Sequence, residues 1–151
     1  MLRKIAYFLG TLCGAGYSPL MPGSVASLLT VFFLYGVHFE LASLIFLLLF
    51  LLPLSLWSSG FIERDLQKHD PSIIVIDEVV GMSIALMGVP YSLKAYVFSF
   101  FAFRFFDILK PFPINHAEIL FSGGLGIIMD DVLAGLAACL CTLFMAFYCG
   151  W

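Results

Sequence analysis

Charged residues are scarce in this sequence. Lys and Arg number seven and Asp and Glu ten, so only 11% of the 151 residues are charged, and no basic run occurs. A soluble domain has about 25% charged residues, and a nucleic-acid-binding surface needs clustered Lys and Arg. The composition therefore argues against a soluble domain and predicts no nucleic acid partner.

Cysteine is also scarce. The four cysteines are Cys13, Cys139, Cys141 and Cys149, and their spacing matches no common zinc site. Small apolar side chains that fill space within helices explain them better than metal binding does. A cysteine-bound metal is therefore not expected.

Apolar residues are in excess, at 62% of the sequence with 17 Phe. Five apolar stretches alternate with short polar hinges, at residues 25–37, 41–57, 73–89, 93–109 and 126–149. Arg3 and Lys4 precede a shorter stretch that we interpret as an uncleaved interfacial helix and not as a signal peptide. The pattern predicts an all-α fold, a small multi-helix membrane bundle with about five apolar helices plus an N-terminal helix. Residues 1–151 would form a single domain.

The apolar stretches also predict a topology. Several are shorter than the ~20 residues that a full crossing needs, so the number of crossings stays open, and Pro53 is expected to kink the second stretch. If Arg3 and Lys4 lie on the inner side of a membrane, four polar clusters lie on that side too, at residues 14–24, 63–78, 104–113 and 122–131. The functional chemistry is thus predicted on one face, the cytoplasmic one.

Two acidic pairs interrupt apolar runs: Asp77-Glu78 in SIIVIDEVVG and Asp130-Asp131 in GIIMDDVLAG. An uncompensated carboxylate at the bilayer centre costs roughly 2.5–3.5 kcal/mol, and a divalent cation would offset that cost. Mg²⁺ prefers carboxylates together with water and phosphate oxygens. We therefore expect all four acids to form a Mg²⁺ site; the alternative is that they stabilise helix N-termini. Aligning the two segments on their acidic pairs makes Asp77 and Asp130 equivalent, and which acid of each pair ligates stays open.

Arg104, Asp107 and Lys110 lie at helical spacing in the segment RFFDILKP. Residues at i, i+3 and i+6 lie near one face of a helix. Arg offers a rigid fork for phosphate oxygens and Lys a compact positive charge, so we expect Arg104 and Lys110 to bind phosphate. The alternative is an ion pair of Arg104 and Asp107 at the membrane border, with Lys110 reaching towards water.

A segment rich in Gly and Pro, GAGYSPLMPGSVAS (14–27), leads into the first apolar stretch. Gly23 or Ser24 would lie near the N-cap of a helix whose free N–H groups bind anions, so Pro22, Gly23 and Ser24 are candidate substrate-binding residues. Residues 122–126 are expected to form a second glycine-rich loop. Asp70-Pro71 is interpreted as a helix-start signal, with a smaller chance of contacting the site.

These segments resemble the bacterial phosphatidylglycerophosphatase A family. The matching segments are GAGYSPLMPGSVAS (14–27), DPSIIVIDEVVG (70–81), FRFFDILKPFPI (103–114) and GGLGIIMDDVLAG (123–135). The N-terminal motif departs from the family pattern, with Met21, Ser24 and Ala26 where Ala, Thr and Gly are expected. The resemblance implies an all-helical fold and a Mg²⁺-dependent phosphatase of phospholipid biosynthesis, which hydrolyses phosphatidylglycerophosphate to phosphatidylglycerol and phosphate. It also implies a multi-pass protein of the bacterial inner membrane.

The residues and the resemblance together predict the roles at the site. Mg²⁺ would be held by the two acidic pairs, and the catalytic residues would be Asp77, Arg104, Asp107, Lys110 and Asp130. Attack by water and an aspartyl-phosphate intermediate both stay open. The motifs PSGH, DxDxT and Cys-x₅-Arg, which mark other phosphatases, are absent. The alternative function is a small ion-coupled transporter that uses buried carboxylates, and the oligomeric state is unknown.

Overall fold

The structure, a computed structural model, describes residues 1–112, 114 and 124–151. These residues form six α-helices and no strand. Helix α1 (Leu2–Gly10) leads through a 3₁₀ turn (Ala15–Tyr17) to α2 (Pro22–Val37). The later helices are α3 (Leu41–Leu66), α4 (Ile76–Ala85), α5 (Leu93–Leu109) and α6 (Gly124–Cys149). The prediction of an all-α fold is confirmed.

Two predicted helix boundaries are wrong. Helix α3 does not stop near Trp57 but continues to Leu66, because the polar residues of its last turns can face outward while Ile62 stays buried. Gln67, with φ 50°, ends it. Helix α4 is shorter than the predicted stretch 73–89, and the residues after Asp70-Pro71 form a turn in which the Ile74 amide donates to the Pro71 carbonyl at 2.9 Å. Between α5 and α6, residues 113 and 115–123 lie outside the described residues.

Helix length limits how many helices can cross a membrane. Two described helices, α3 and α6, are long and apolar enough, with 26 residues each, or about 39 Å against a hydrocarbon core of about 30 Å. Helices α2 and α5, with 16 and 17 residues, reach only about 24–26 Å, and α4 reaches about 15 Å. Of the five apolar helices predicted from sequence, two among the described residues are therefore long enough to span a membrane. Two such helices are by themselves weak evidence of a membrane protein.

Helix α4 lies at the centre of the bundle and contacts α2, α3, α5 and α6. Its approach to α6 depends on Gly81 and Gly135, which face each other. A Cβ atom on Gly81 would lie 2.8 Å from the backbone oxygen of Asp131 and 2.6 Å from the Phe103 ring, and one on Gly135 would lie 3.2 Å from the Gly81 Cα. Small residues at such crossings let two backbones come close. The glycines thus set the distance between the two helices that carry the acidic pairs.

Successive long helices run in alternating directions, which separates the bundle into two ends. At one end the Val75 amide donates to the Gly10 carbonyl at 2.8 Å, and Lys110 pairs with Asp130. At the other end the Tyr35 and Tyr91 rings stack at 4.8 Å, and the Phe98 and Trp151 rings lie 5.7 Å apart. The first turns of α2, α4 and α6 therefore meet the last turns of α5 at one end. The predicted convergence of the polar clusters agrees with this arrangement.

Candidate functional site

A small cavity of about 150 Å³ opens at the end of the bundle where the polar clusters meet. Six carboxyl groups line it, and we call it the acidic cavity: Asp70, Asp77, Glu78, Asp107, Asp130 and Asp131. Pro22, Gly23 and Lys110 line it as well. Eight of the residues predicted from sequence to form the site thus surround one space, although they come from four helices and the residue after α5.

Three carboxylates come close enough to share one cation. Single oxygens of Asp77, Glu78 and Asp131 all lie within 4.8 Å of one another. Asp77 and Asp131 are 5% and 4% exposed, and Glu78 Oε2 is buried without a hydrogen-bond partner among residues 1–112, 114 and 124–151. Buried charges need a partner of opposite sign or a metal. The donor set, three hard oxygens in a partly wet cavity, fits Mg²⁺.

The register of α4 against α6 explains why Asp131, and not Asp130, joins this group. Asp77 lies four residues before Gly81, and Asp131 lies four residues before Gly135. Because the two glycines meet at the helix crossing, the residues one turn earlier on each helix also meet. Aligning the two segments on their acidic pairs misses this register, whereas aligning them on the glycines finds it.

Asp130 has a different environment. Its Oδ1 accepts from the Asp131 amide at 3.0 Å, much as Asp77 Oδ1 accepts from the Glu78 amide at 3.1 Å. Its Oδ2 accepts from Lys110 Nζ. The first acid of each pair thus accepts a hydrogen bond from the amide of the residue that follows it. Asp130 differs from Asp77 because it is also paired with a cationic side chain. Lys110 reaches it from the residue after α5, where φ is 41°.

Arg104 lies beside the acidic cavity and does not line it. Its Nη1 lies 2.5 Å from Asp107 Oδ2, and both side chains are about 15% exposed. The ion pair of the alternative interpretation is therefore present, but Lys110, which that interpretation had reaching towards water, pairs with Asp130. The buried Arg104 Nε has no hydrogen-bond partner among the described residues. A Cβ on Gly23 would lie 3.3 Å from Arg104 Nη1 and would overlap Glu78 Oε1. Glycine at position 23 therefore lets α2 rest directly against both side chains.

Helix α2 starts close to the predicted position. Met21, with φ 43°, is its N-cap and Pro22 is its first residue, so Gly23 and Ser24 lie in the first turn, near the N-cap as expected. In the part of the chain that the structure describes, no side chain caps this terminus, which leaves first-turn N–H groups without intrahelical acceptors. Ser24 is half-buried but does not line the acidic cavity.

The second predicted loop, residues 122–126, is also revised. Gly124 and Gly126 belong to α6, while residues 122 and 123 lie outside the described residues. A Cβ on Gly124 would lie 2.8 Å from the Gly60 amide nitrogen and 2.9 Å from the Leu56 carbonyl oxygen. The glycine therefore brings the start of α6 against α3 and does not form a flexible loop.

The acidic cavity carries an excess of negative charge. Burial raises the pKa of Asp77 to about 6, and it raises the pKa of Glu78 well above its usual value, because leaving water disfavours the charged carboxylate. Within the described ranges, the six carboxyl groups face two basic side chains, Arg104 and Lys110. A cation in the cavity would favour the charged forms, so the arrangement suits a divalent ion.

Asp70 lines the acidic cavity, although the sequence predicts for it mainly a helix-start signal. Its backbone φ is 44°, and Ser72, Ile74 and Ile127 line the cavity beside it. The Asp-Pro pair resembles an ordinary helix start, which hides a second role. The sequence feature that could have indicated a role for Asp70 at the site is its position shortly before Asp77.

Comparisons with known proteins identify the family. A family model described as phosphatidylglycerophosphatase A matches residues 8–146. The chain belongs to this family. A phosphatidylglycerophosphatase A of Escherichia coli is 36% identical over 127 residues, which cover 82% of the chain and 73% of that protein. One of Haemophilus influenzae is 47% identical over 75 residues, which cover 49% and 46%.

Another relative has a different name. A Bacteroides thetaiotaomicron protein named "Putative phosphatidylinositol-3-phosphatase" is 36% identical over 140 residues, 85% of each chain. No solved structure matches. Phosphatidylglycerophosphatase A enzymes are phosphatases of phospholipid metabolism, and family membership supports this activity for the chain. The comparisons give no support to the alternative of an ion-coupled transporter.

Proposed function

We propose that the acidic cavity is the active site of a Mg²⁺-dependent phosphatase that converts phosphatidylglycerophosphate to phosphatidylglycerol and phosphate. The observation that carries the proposal is the meeting of Asp77, Glu78 and Asp131 within 4.8 Å, next to Arg104 and Lys110. Carboxylates for a cation and basic groups for an anion are what metal-assisted hydrolysis of a phosphate monoester uses.

Asp77, Glu78 and Asp131 would hold the Mg²⁺, with Asp130 at the margin of the site. The bound ion would act as a Lewis acid on the phosphoryl oxygens. The protein contributes a rigid arrangement of these oxygens, because the Gly81–Gly135 contact fixes α4 against α6. The burial of Asp77 and Asp131 lowers the local dielectric, which strengthens their electrostatic interactions.

Arg104, Lys110 and the first turn of α2 would bind the phosphate. The Arg104 Nε is a buried donor without a hydrogen-bond partner among the described residues, the Nη1 of the same side chain lies next to Gly23, and Lys110 lines the acidic cavity. Uncapped N–H groups after Pro22 add a further site for an anion at a helix N-terminus. These donors would stabilise the charge that builds on the phosphoryl oxygens during the reaction.

Asp107 and Asp130 are placed to orient these cations. Asp107 holds Arg104, and Asp130 holds Lys110. Two routes fit this arrangement. In one, a carboxylate takes the proton of a water that attacks phosphorus, the bond to the ester oxygen breaks, and phosphatidylglycerol leaves as the alcohol. In the other, an Asp attacks phosphorus and releases phosphatidylglycerol, and water then hydrolyses the aspartyl phosphate to free phosphate.

The membrane location rests on the outer surface of the two long helices. Helix α3 exposes Phe46 and Phe50, and α6 exposes Phe144 and Phe147, the last at 91%. Large exposed apolar surfaces mark membrane or protein contacts, and a lipid substrate favours a membrane. We propose a multi-pass inner-membrane bundle in which α3 and α6 cross, with the acidic cavity on the cytoplasmic face by the positive-inside tendency.

Phosphate release from purified protein in detergent micelles tests this function. We expect release from phosphatidylglycerophosphate in Mg²⁺, loss of activity in EDTA, and recovery when Mg²⁺ is restored. Phosphatidylinositol 3-phosphate, the substrate class in one relative's name, serves as the comparison substrate. Equal rates in EDTA would overturn the Mg²⁺ requirement, and a preference for the inositol lipid would overturn the proposed substrate.

A further inference from the structure

A second cavity, of about 470 Å³, lies between α2, α3 and α4. Leu29, Thr30, Leu47, Leu51, Val79 and Ser83 are among the residues that line it, and we call it the apolar cavity. Its size falls in the range of about 300–1,000 Å³ that is usual for small-molecule sites. Nothing in the proposed reaction at the acidic cavity uses this space.

The lining of the apolar cavity offers almost nothing to a polar ligand. The Thr30 hydroxyl donates to the Ala26 carbonyl at 2.8 Å, and the Ser83 hydroxyl donates to the Val79 carbonyl at 2.7 Å. Both hydroxyl donors are therefore satisfied within their own helices. The other residues named above are aliphatic, so the cavity suits a hydrocarbon, whose transfer from water is favourable without any hydrogen bond.

The apolar cavity is next to the acidic cavity and continues away from it along the same helices. Val79 lines the apolar cavity and its neighbour Glu78 lines the acidic one. Along α2, Gly23 lines the acidic cavity and Thr30 the apolar one, a distance of about 10 Å along the helix axis. A molecule with a phosphate at one end and a hydrocarbon after a short polar linker would fill both.

The apolar cavity is also reachable from the side of the bundle. Leu29 and Phe33 line it and are 48% and 57% exposed. On each of α2, α3 and α4 the lining residues lie about one helical turn apart, as Leu47 and Leu51 do, so the space is elongated along the helices. A chain could therefore enter sideways from a lipid leaflet and lie parallel to the helices.

We propose that the apolar cavity holds one acyl chain of the phospholipid whose terminal phosphate occupies the acidic cavity. The proposal rests on the proposed function, and it adds a specificity site that selects the substrate by its hydrocarbon. One chain fixed between α2, α3 and α4 would hold the head group at the carboxylates, while the second chain stays in the leaflet.

Filling the apolar cavity tests the proposal, with Leu51→Trp as the variant and Leu49→Trp as the matched control. Leu49 lies two residues away on α3, is 61% exposed and does not line the cavity. With dioleoyl phosphatidylglycerophosphate we expect Leu51→Trp to raise KM about tenfold. With the dihexanoyl substrate, whose chains are too short to fill the cavity, both variants should match the wild type.

The outcomes separate the two proposals. Equal effects of both variants, or an equal loss by Leu51→Trp on both substrates, would overturn the acyl-chain site. No phosphate release by the wild type from either substrate would instead overturn the proposed function. Because a tryptophan in the bundle can also disturb folding, a second measurement uses the native cavity and no catalysis.

The native Cys13, which lines the apolar cavity and is exposed, provides that measurement. Its alkylation by a maleimide is followed in a variant with Cys141→Ser and Cys149→Ser. We expect dioleoyl phosphatidylglycerol at roughly ten times its Kd to slow alkylation about tenfold, and the dihexanoyl lipid not to. Equal protection by the dihexanoyl lipid, or no protection by the dioleoyl lipid, would overturn the proposal.

Discussion

At the scale of single residues, Gly23 shows how closely the parts of the acidic cavity fit together. Its missing side chain leaves room for Glu78 Oε1 and for Arg104 Nη1, two groups from two other helices. A Cβ at this position must push α2 away or displace the Glu78 carboxylate, and it would press on Arg104 Nη1. Gly36 lies on the same helix, and a Cβ placed there would meet no other described atom within 4 Å, so it provides the comparison.

We expect Gly23→Ala to lower kcat/KM by about 100-fold, because a displacement of about 1 Å at a reacting centre has an effect of this size. The matched Gly36→Ala should keep full activity and raise the free energy of unfolding by roughly 1 kcal/mol through helix propensity. Steady-state phosphate release and thermal unfolding measure the two effects. Equal activity of the two variants would contradict the close fit.

The two acids of the second pair should also differ. Asp131 shares a cluster with Asp77 and Glu78, whereas Asp130 pairs with Lys110. Asp131→Asn should raise the Mg²⁺ concentration for half-maximal activity at least about tenfold. Asp130→Asn should instead lower kcat with little change in the Mg²⁺ requirement. A Mg²⁺ titration of the activity of both variants tests this difference. Identical shifts in the Mg²⁺ concentration for half-maximal activity would mean that the two acids share one role.

At the scale of elements, the crossing of α4 and α6 decides which side chains meet. The fold class and the existence of each helix could be predicted from the apolar periods, since a helix must present apolar residues at these spacings to be buried. The positions of the helix ends could not be predicted in this way. The polar last turns of α3 look like a hinge in sequence, and they are helical because they extend a helix that is already packed on α1 and α6.

We expect Gly135→Ala to weaken both the packing and the metal site. The added methyl group would press on the Gly81 backbone, and such overpacking costs about 1–3 kcal/mol. The unfolding midpoint should fall and the Mg²⁺ requirement should rise, because Asp77 and Asp131 move apart. Gly36→Ala, which adds the same methyl group in open space, is the control. A normal Mg²⁺ requirement in Gly135→Ala would show that the crossing does not position the acids.

At the scale of the whole molecule, the polar and aromatic ends of the bundle define its proposed orientation. The acidic cavity and Lys68 lie at one end, and Cys149, the last residue of α6, lies towards the other. If α6 crosses a membrane, these two ends face different compartments. The sequence predicts that the end with Lys68 is cytoplasmic.

Labelling with a membrane-impermeant maleimide tests this orientation. One variant keeps Cys149 as its only cysteine, and the other carries Lys68→Cys in a background without other cysteines. Cys149 should react in intact spheroplasts, and the cysteine at position 68 should react only in inside-out vesicles. Reaction of both positions from the same side would contradict a crossing by α6.

The sequence by itself determined the all-helical class, the family, and the residue types of the site. These follow from local composition and spacing, because an apolar period or an acidic pair can be recognised in the sequence without knowing which residues it contacts in the fold. Only the tertiary structure decided that Asp131 joins Asp77 and Glu78, that Asp130 pairs with Lys110, and that Gly23 makes room for Glu78 and Arg104. The physical reason is that each of these contacts joins residues from different helices, and their register is set by where two glycines allow backbones to touch.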